Sequence, residues 1–295
     1  MKMKCSLCPR MCQVDREVTI GYCGVKQTLR VARAALHFWE EPCISGEEGS
    51  GAVFFTGCNL RCVFCQNFQI ARAEQGKEIT IERLAEIFLE LQEQKANNIN
   101  LVTATHYVPQ VVEALKLAKE QGLGIPVIYN CGGYETVDTL KLLEGLVDIY
   151  LPDFKYVDSE RAKRYSRAEN YPEIAKEALA EMVRQQPKAE FDERGIMKKG
   201  VIVRHLMLPG GIKDSKAVVK YLYETYGDQI YISLMNQYTP LPHVAEYSEI
   251  NRKVKKFEYD RLVDYAISLG VENGFIQEGE TAEESFIPAF TNEGV

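Results

Sequence analysis

The sequence predicts an α/β fold built on a parallel sheet, either doubly wound or closed as a barrel. From about residue 50 onward, short runs rich in Val, Ile, Phe and Tyr alternate with amphipathic helical patterns, and this alternation is typical of parallel strands. The runs are nearly continuous in apolar character, as in strands that are covered on both faces. With 295 residues and 46% hydrophobic content, the chain can bury one large α/β core or two small ones.

Six segments are predicted strands because each is short, β-branched or aromatic, and followed by turn residues. They lie at 51–57, 99–103, 126–131, 147–153, 200–208 and 230–236. Predicted helices lie at 80–94, 108–122, 136–145, 171–185, 214–227 and 258–270. Thr80 and Asp214 suit the starts of two helices, and Gly122 suits the end of one. We expect a small hairpin at 189–200 and a final extended piece at 273–277.

Polar residues follow or end each predicted strand. The carboxyl ends of parallel strands share one edge, where active sites lie in both barrels and doubly wound sheets. Each residue alone is compatible with an ordinary polar loop, but the set predicts a binding site at this rim. Arg204 and His205 alternate within one strand, and we expect Arg204 to face inward. The set comprises Cys58, Thr103, Thr105, His106, Asn130, Cys131, Asp153, Lys155, Arg204, His205, Asn236 and Gln237.

Three cysteines, Cys58, Cys62 and Cys65, occupy the loop after the first predicted strand in the spacing C-x3-C-x2-C. Thiolate is a soft ligand that suits zinc, copper(I) or an iron–sulfur cluster. A cubane cluster held by three cysteines keeps one iron without a protein ligand. The loop therefore predicts a metal centre with a position open to a small molecule.

A second group, Cys5, Cys8, Cys12 and Cys23, lies in residues 1–45, which we assign to a separate cysteine-rich segment. Four thiols suit a closed tetrahedral zinc site, which would order the segment. They equally suit a second iron–sulfur cluster, which would pass electrons to the other centre, and the spacing does not separate the two. Residues 46–295 form the α/β unit and its C-terminal extension. Elsewhere, Cys131 is expected to be a packed thiol, and Cys43 has no partner at ligand spacing.

Charge and hydropathy exclude several classes of function. The net charge of −7 disfavours nucleic-acid binding, which usually needs a basic face. No uncharged run reaches the roughly 18 apolar residues of a membrane span. The N-terminus lacks the apolar region of a secretory signal, so we expect a reducing cytoplasm, where cysteines serve metals or chemistry.

The wider segment GSGAVFFTGCNLRCVFCQN resembles the radical S-adenosylmethionine (SAM) superfamily, and within it the branch related to pyruvate formate-lyase activating enzyme. The likeness continues in YNCGGYE, VDIYLPDFKY, VRHLMLPGG and LMNQYTPL, and it covers most of the chain, including CSLCPRMC and GYCG near the N-terminus. The chain is similar to uncharacterised activating-enzyme-like proteins of this branch. The resemblance implies a partial (β/α)6 barrel with a cysteine-rich N-terminal extension.

The resemblance also implies an oxidoreductase with two cofactors. Cys58, Cys62 and Cys65 match the ligands of a [4Fe-4S] cluster, whose open iron the amino and carboxylate groups of SAM would chelate. One electron then cleaves SAM to methionine and a 5′-deoxyadenosyl radical, which abstracts hydrogen from a substrate. Phe64 matches an aromatic residue near the adenine, and Asn130 is expected to contact the ribose.

Other SAM contacts follow from the same motifs. The family usually carries a Gly-Gly-Glu-like segment after the second strand to meet the SAM amino group. This sequence departs from that pattern, and the role is expected of Thr105 and His106. Asp153 and Lys155 match an Asp-x-Lys element in which the lysine lies near the SAM carboxylate. Arg204 matches an arginine before a Pro-Gly turn.

The identity of the partner or substrate stays open at this level. A glycyl residue of a partner glycyl radical enzyme is one candidate, and a small molecule or a peptide is another. The cysteine-rich segment is additional to a minimal activating enzyme. A flavodoxin or ferredoxin is the expected electron donor. A non-catalytic iron–sulfur electron carrier is a further alternative, but a carrier does not need Asp153, Lys155 and Arg204 at one rim.

Overall fold

The structure, a computed structural model, describes residues 4–277 and 288–295. The strands are β1 (Arg30–His37), β2 (Ser50–Phe55), β3 (Lys77–Glu78), β4 (Ile99–Val102), β5 (Val127–Cys131), β6 (Ile149–Pro152), β7 (Glu190–Phe191), β8 (Met197–Leu206), β9 (Tyr231–Met235) and β10 (Gly274–Ile276). The α-helices are α1 (Pro42–Ser45), α2 (Phe68–Ala71), α3 (Ile81–Glu93), α4 (Val108–Glu120), α5 (Val137–Lys141), α6 (Ser159–Ser166), α7 (Tyr171–Gln185), α8 (Ile212–Tyr226) and α9 (Lys256–Leu269).

The strands form one open, curved sheet in the order β10-β9-β8-β6-β5-β4-β2-β1-β3, with β7 paired to β8. The pairings from β2 to β10 along this order are parallel, so the carboxyl ends of these strands lie at one rim. The edge strands β3 and β10 remain unpaired to each other, as in an unclosed barrel. The prediction of an α/β partial barrel with parallel strands is confirmed.

Strand β1 was not predicted. It runs antiparallel to β2, with pairs from Val31–Phe55 to His37–Ser50, and it extends the parallel sheet at one edge. Residues 30–37 therefore belong to the sheet although they lie within the first 45 residues. The predicted hairpin at 189–200 is present, because β7 pairs antiparallel with β8 through Glu190 and Lys199. Helix α6, between β6 and β8, was not predicted.

The helices cover the convex face of the sheet. Helix α3 shows the reason: Thr80 accepts a hydrogen bond from the Arg83 N–H at its start, and Leu84, Phe88 and Leu91 are buried along one stripe. Burial of one such side chain stabilises the fold by about 1.5–3 kcal/mol. Cys131 lies in this layer at 2% exposure, as predicted for a packed thiol.

The concave face holds smaller apolar clusters and the polar residues of the rim. Successive strand residues point to opposite faces, so Ile128 and Ile202 pack together on the concave side while Tyr129 and Val203 pack towards the helices. Phe54 contacts Phe290 on the concave side, with 5.5 Å between ring centroids.

Residues 288–295 lie against β1, which is near the opposite end of the sheet from β10. The Asn292 N–H donates to Ala32 O over 3.0 Å, and the Ala34 N–H donates to Glu293 O over 2.9 Å. Among the helices in the described parts of the chain, none combines the length and apolar character needed to cross a membrane.

Candidate active site

A pocket opens on the concave face at the carboxyl ends of the parallel strands. Thiols lie on one side, charged and amide side chains on another, and aromatic or apolar residues at the edge. Its lining includes Cys58, Cys62, Cys65, Thr103, Asn130, Asp153, Lys155, Arg204, His37, Trp39, Glu40, Phe54, Phe64, Leu206, Met235 and Pro288. Eight of the twelve predicted rim residues thus line the pocket: Cys58, Thr103, Asn130, Cys131, Asp153, Lys155, Arg204 and Gln237.

The cysteine loop begins where β2 ends, and Gly57 makes its first turn possible. Gly57 has φ +96°, and a Cβ atom there would lie 2.9 Å from Cys23 O and 3.0 Å from His106 Nε2. Only glycine fits both the backbone angle and this close approach. The turn directs Cys58, Cys62 and Cys65 into the pocket.

The three thiols fit a cationic, soft centre. Burial raises the pKa of Cys65 to about 12, and the neighbouring Cys62 adds to the rise. Burial likewise raises the pKa of Cys58, with further contributions from Cys65 and Cys62. The Cys58 and Cys65 thiols therefore resist ionisation unless positive charge compensates them. A metal centre supplies that charge and requires thiolates as ligands.

Next to the thiols, the pocket is lined by a compact network of four charges. Asp153 accepts from Lys155 Nζ over 2.6 Å and from Arg204 Nε over 3.2 Å. Burial alone would raise the pKa of Asp153, but Lys155 and Arg204 outweigh it and hold that pKa below its ordinary value. Arg204 also donates to Glu40 Oε2 over 2.9 Å and to Asn130 Oδ1 over 2.6 Å. Two cations and two carboxylates face one another, which suits a ligand that carries both an ammonium and a carboxylate group.

Glu40 is a pocket residue that sequence reasoning missed. It follows β1, and its Oε1 accepts from Asn100 Nδ2 and Asn130 Nδ2, each over 3.2 Å. Its side chain is 10% exposed. No motif marks Glu40, and its position depends on the β1–β2 pairing, so only recognition of that hairpin would have found it. His37 and Trp39, from the same turn, also line the pocket.

Thr105 and His106 do not line the pocket. They lie in a short 3-10 turn, where Thr105 donates to Glu135 Oε1 over 2.9 Å and His106 Nε2 lies 2.8 Å from Thr56 O. Thr103 reaches the pocket instead, with φ +62°, a value that is rare for a β-branched residue. Such strain is often kept at binding sites.

Arg204 and Phe64 take positions consistent with their expected roles. Arg204 lines the pocket, whereas His205 lies on the other face of β8 with Nδ1 2.8 Å from Phe154 O. Phe64 is 6% exposed, and Lys155 Nζ lies 6.0 Å from its ring centroid. The aromatic ring is therefore next to the charged wall.

The N-terminal cysteines gather beside the cysteine loop. Burial raises the pKa of Cys8 to about 11, and the charges of Cys23, Cys5 and Cys12 add to that rise, as expected for neighbouring thiols. The Cys58 N–H donates to Cys23 O over 3.2 Å, so the two groups adjoin through one backbone hydrogen bond.

Arg10 fixes this segment against the barrel. Its guanidinium donates to Asn59 O over 2.8 Å and to Arg167 O over 2.6 Å. Its charge also lies over the rings of Tyr22 and Tyr134, at 4.1 and 5.0 Å from their centroids. Hydrogen bonds and cation–π contacts of Arg10 thus dock the cysteine-rich segment on the barrel.

Across residues 4–277 and 288–295, no three His, Cys, Asp or Glu side chains converge on a point that could hold a single metal ion. A zinc ion would require its sulfurs about 2.3 Å away. A cubane cluster binds each thiolate through a different iron and spreads its ligands more widely. The three barrel thiols, which line one pocket, are compatible with the ligands of a cluster.

The family model of the radical SAM superfamily matches residues 52–210, more than half of the chain. An uncharacterised protein from Methanocaldococcus jannaschii is 29% identical over 269 residues, 89% of this chain and 74% of that protein. The pyruvate formate-lyase-activating enzyme of Clostridium pasteurianum is 34% identical over 119 residues, 38% of this chain and 48% of the enzyme.

Solved structures show the same fold at low identity. Streptococcus suis SuiB bound to its precursor peptide SuiA matches with TM-score 0.52 and 14% identity, over 75% of this chain and 46% of SuiB. A radical SAM methyltransferase from Sphaerobacter thermophilus matches with TM-score 0.51 and 12% identity, over 77% of this chain and 66% of that protein. The chain spans about half the length of SuiB.

Proposed function

The chain belongs to the radical SAM superfamily, and we propose that it is an oxidoreductase that cleaves SAM reductively and abstracts hydrogen from a substrate. Membership implies a [4Fe-4S] cluster and SAM. The observation that carries the proposal is that one pocket joins three thiols to a wall of paired charges. A bound, reduced cluster would supply the single electron for the reductive cleavage of SAM.

In this proposal, different residues of the pocket bind the cluster and the parts of SAM. Cys58, Cys62 and Cys65 would hold the cluster, with its remaining iron open to SAM. Lys155 would bind the carboxylate of the methionine moiety, because its ammonium lines the pocket near the thiols. Asp153 lies between Lys155 and Arg204, and we assign it the role of holding both cations in place.

Further contacts complete the SAM site in this proposal. Asn130 is held by Arg204 and Glu40 and would contact the ribose. Thr103 takes the place at the end of β4 that Thr105 and His106 were expected to fill, because it alone of the three lines the pocket. Phe64 would pack near the adenine, and its ring helps to exclude water from the charged wall.

We infer that the hydrogen donor is a polypeptide segment. The Clostridium pasteurianum relative is an activating enzyme for pyruvate formate-lyase, and SuiB is bound to a precursor peptide. A glycyl residue of a partner enzyme and a precursor peptide both fit this class. A small molecule is the second candidate, favoured by the apolar side chains of Trp39 and Pro288 among the pocket lining.

The N-terminal thiols would form a second metal site, either one zinc ion or a second cluster. The hydrogen bond from Cys58 to Cys23 supports close communication between the two centres. With a second cluster, the segment would be the entry point for electrons from a flavodoxin or ferredoxin. With zinc, it would order residues that have little core of their own. Low-potential chemistry of this kind suits the reducing cytoplasm.

Electron paramagnetic resonance (EPR) of the reduced, anaerobically reconstituted protein tests the proposal. SAM is expected to change the spectrum of the barrel cluster because it binds the open iron. An unchanged spectrum with SAM present in excess would contradict the proposed site. For the substrate, deuterium from labelled candidate peptides should enter 5′-deoxyadenosine, whereas transfer only from small molecules would favour the second candidate.

A further inference from the structure

Behind the cysteine loop, two buried hydroxyl groups lead to one of the three thiols. Ser166 Oγ lies 3.1 Å from Cys62 Sγ, and Tyr156 Oη lies 2.9 Å from Ser166 Oγ. Ser166 is fully buried and Tyr156 is 1% exposed. The Tyr156–Ser166 contact is buried and the Ser166–Cys62 contact is partly buried, and the three side chains form one continuous chain.

The end of α6 holds Ser166 in this position. Asp158 caps the start of the helix by accepting from the Glu160 and Arg161 N–H groups. At the other end, the Val63 N–H of the cysteine loop donates to Tyr165 O over 2.8 Å. The contact between helix and loop thus includes backbone as well as side chains, so the Ser166–Cys62 distance is a fixed feature of the fold.

Tyr156 reaches Ser166 from the loop after β6, which also carries Asp153 and Lys155. It directly follows Lys155, which faces the pocket, while Tyr156 turns behind the loop. A tyrosine phenol keeps its proton at neutral pH and can donate it in a hydrogen bond.

We propose that Tyr156 and Ser166 donate a hydrogen-bond chain to Cys62 and thereby raise the reduction potential of the cluster that Cys62 binds. The inference rests on the proposed function, in which Cys62 is a ligand. A ligating cysteine is a thiolate and can only accept, so the Ser166 hydroxyl must donate to Sγ. The Ser166 oxygen is then free to accept from Tyr156, and ligation sets the direction of the whole chain.

The direction of the change in reduction potential follows from charge. One-electron reduction adds negative charge that is shared with the ligand sulfurs, and hydrogen bonds to cluster sulfurs help to set the potential. A donor to Cys62 stabilises the reduced form more than the oxidised form, because charge-assisted hydrogen bonds are the stronger ones. Tyr156 polarises Ser166 and strengthens the bond. No proton leaves either residue, so both act as positioning and tuning groups.

Redox titration monitored by EPR tests this role in the reconstituted holoprotein. Ser166→Ala removes the donor to sulfur, Tyr156→Phe removes only the second hydroxyl, and Tyr238→Phe is the matched control. Tyr238 is also a buried tyrosine near the loop, but its hydroxyl donates to Ile250 O over 2.7 Å. Iron content and thermal unfolding are measured for every variant.

We expect a more negative potential in Ser166→Ala, a smaller shift in the same direction in Tyr156→Phe, and no shift in Tyr238→Phe, with iron content retained throughout. Equal potentials in wild type and Ser166→Ala, with the cluster present in both, would overturn the inference and leave the proposed function standing. A wild-type protein that assembles no cluster would instead overturn the proposed function itself.

Discussion

The two cysteine groups of this chain adjoin through one hydrogen bond, yet their surroundings differ. Cys58, Cys62 and Cys65 line a pocket with Lys155 on a neighbouring wall. None of the N-terminal four lines that pocket, and Cys8 and Cys23 are only 8% and 6% exposed. Three thiols line the pocket, whereas the other four lie outside it, with Cys8 and Cys23 buried and Cys5 and Cys12 partly exposed. We therefore assign chemistry to the first group and structure or electron supply to the second.

Loss of a barrel thiol should have the largest effect. In Cys65→Ala, we expect loss of the barrel cluster and of SAM cleavage, because two thiolates cannot hold a cubane in place of three. Cys43→Ala is the control, since Cys43 is a buried thiol outside this pocket. Iron analysis and product assays measure both. Full iron content and activity in Cys65→Ala would contradict the distinction between the two cysteine groups.

Loss of an N-terminal thiol should have a smaller effect, and this effect distinguishes zinc from a second iron–sulfur cluster at that site. Wild type should contain about four irons and one zinc, or about eight irons and no zinc, since one cubane holds four irons. Cys8→Ala should lose only the second metal and unfold at a lower temperature. SAM cleavage should fall if that metal is a cluster and persist if it is zinc. Equal loss of the barrel iron would show that the two groups are not separate sites.

Within the charged wall, Lys155→Ala should weaken SAM binding by roughly 10- to 100-fold. The variant removes a charge-assisted hydrogen bond worth about 1.5–3 kcal/mol, and each 1.4 kcal/mol is about tenfold in affinity. Calorimetry with the oxidised holoprotein measures this. Lys188→Ala, at an exposed position, is the control. Unchanged affinity in Lys155→Ala would remove Lys155 from the site.

Glu40→Gln should have the smallest effect, a few-fold weakening of SAM binding. Glutamine keeps an oxygen to accept from Asn100 and Asn130 but loses the charge that pairs with Arg204. Arg204 keeps Asp153 as an ion-pair partner in this variant, which limits the effect on the site. Glu47→Gln, in the same loop region but exposed, should bind as wild type. A loss of SAM affinity as large as that in Lys155→Ala would indicate that Glu40 contacts SAM directly.

Much of this arrangement could be predicted from sequence because parallel strands place their ends at one rim. That rule brought Asp153 and Arg204 together across 51 residues of chain, and strand alternation chose Arg204 over His205. Glu40 could not be found in this way, because its position depends on an antiparallel hairpin at the sheet edge. Thr105 and His106 were misplaced relative to the pocket because a tight 3-10 turn follows β4, and periodicity carries no information about such a turn.

The central claim is that the thiol-lined pocket cleaves SAM reductively. The most direct test is 5′-deoxyadenosine formation by anaerobically reconstituted protein given SAM and a strong reductant, with Cys62→Ala measured alongside. We predict product from wild type and none from Cys62→Ala, with both proteins folded. Equal product from the two proteins, or none from wild type with SAM bound and the cluster reduced, would contradict the account.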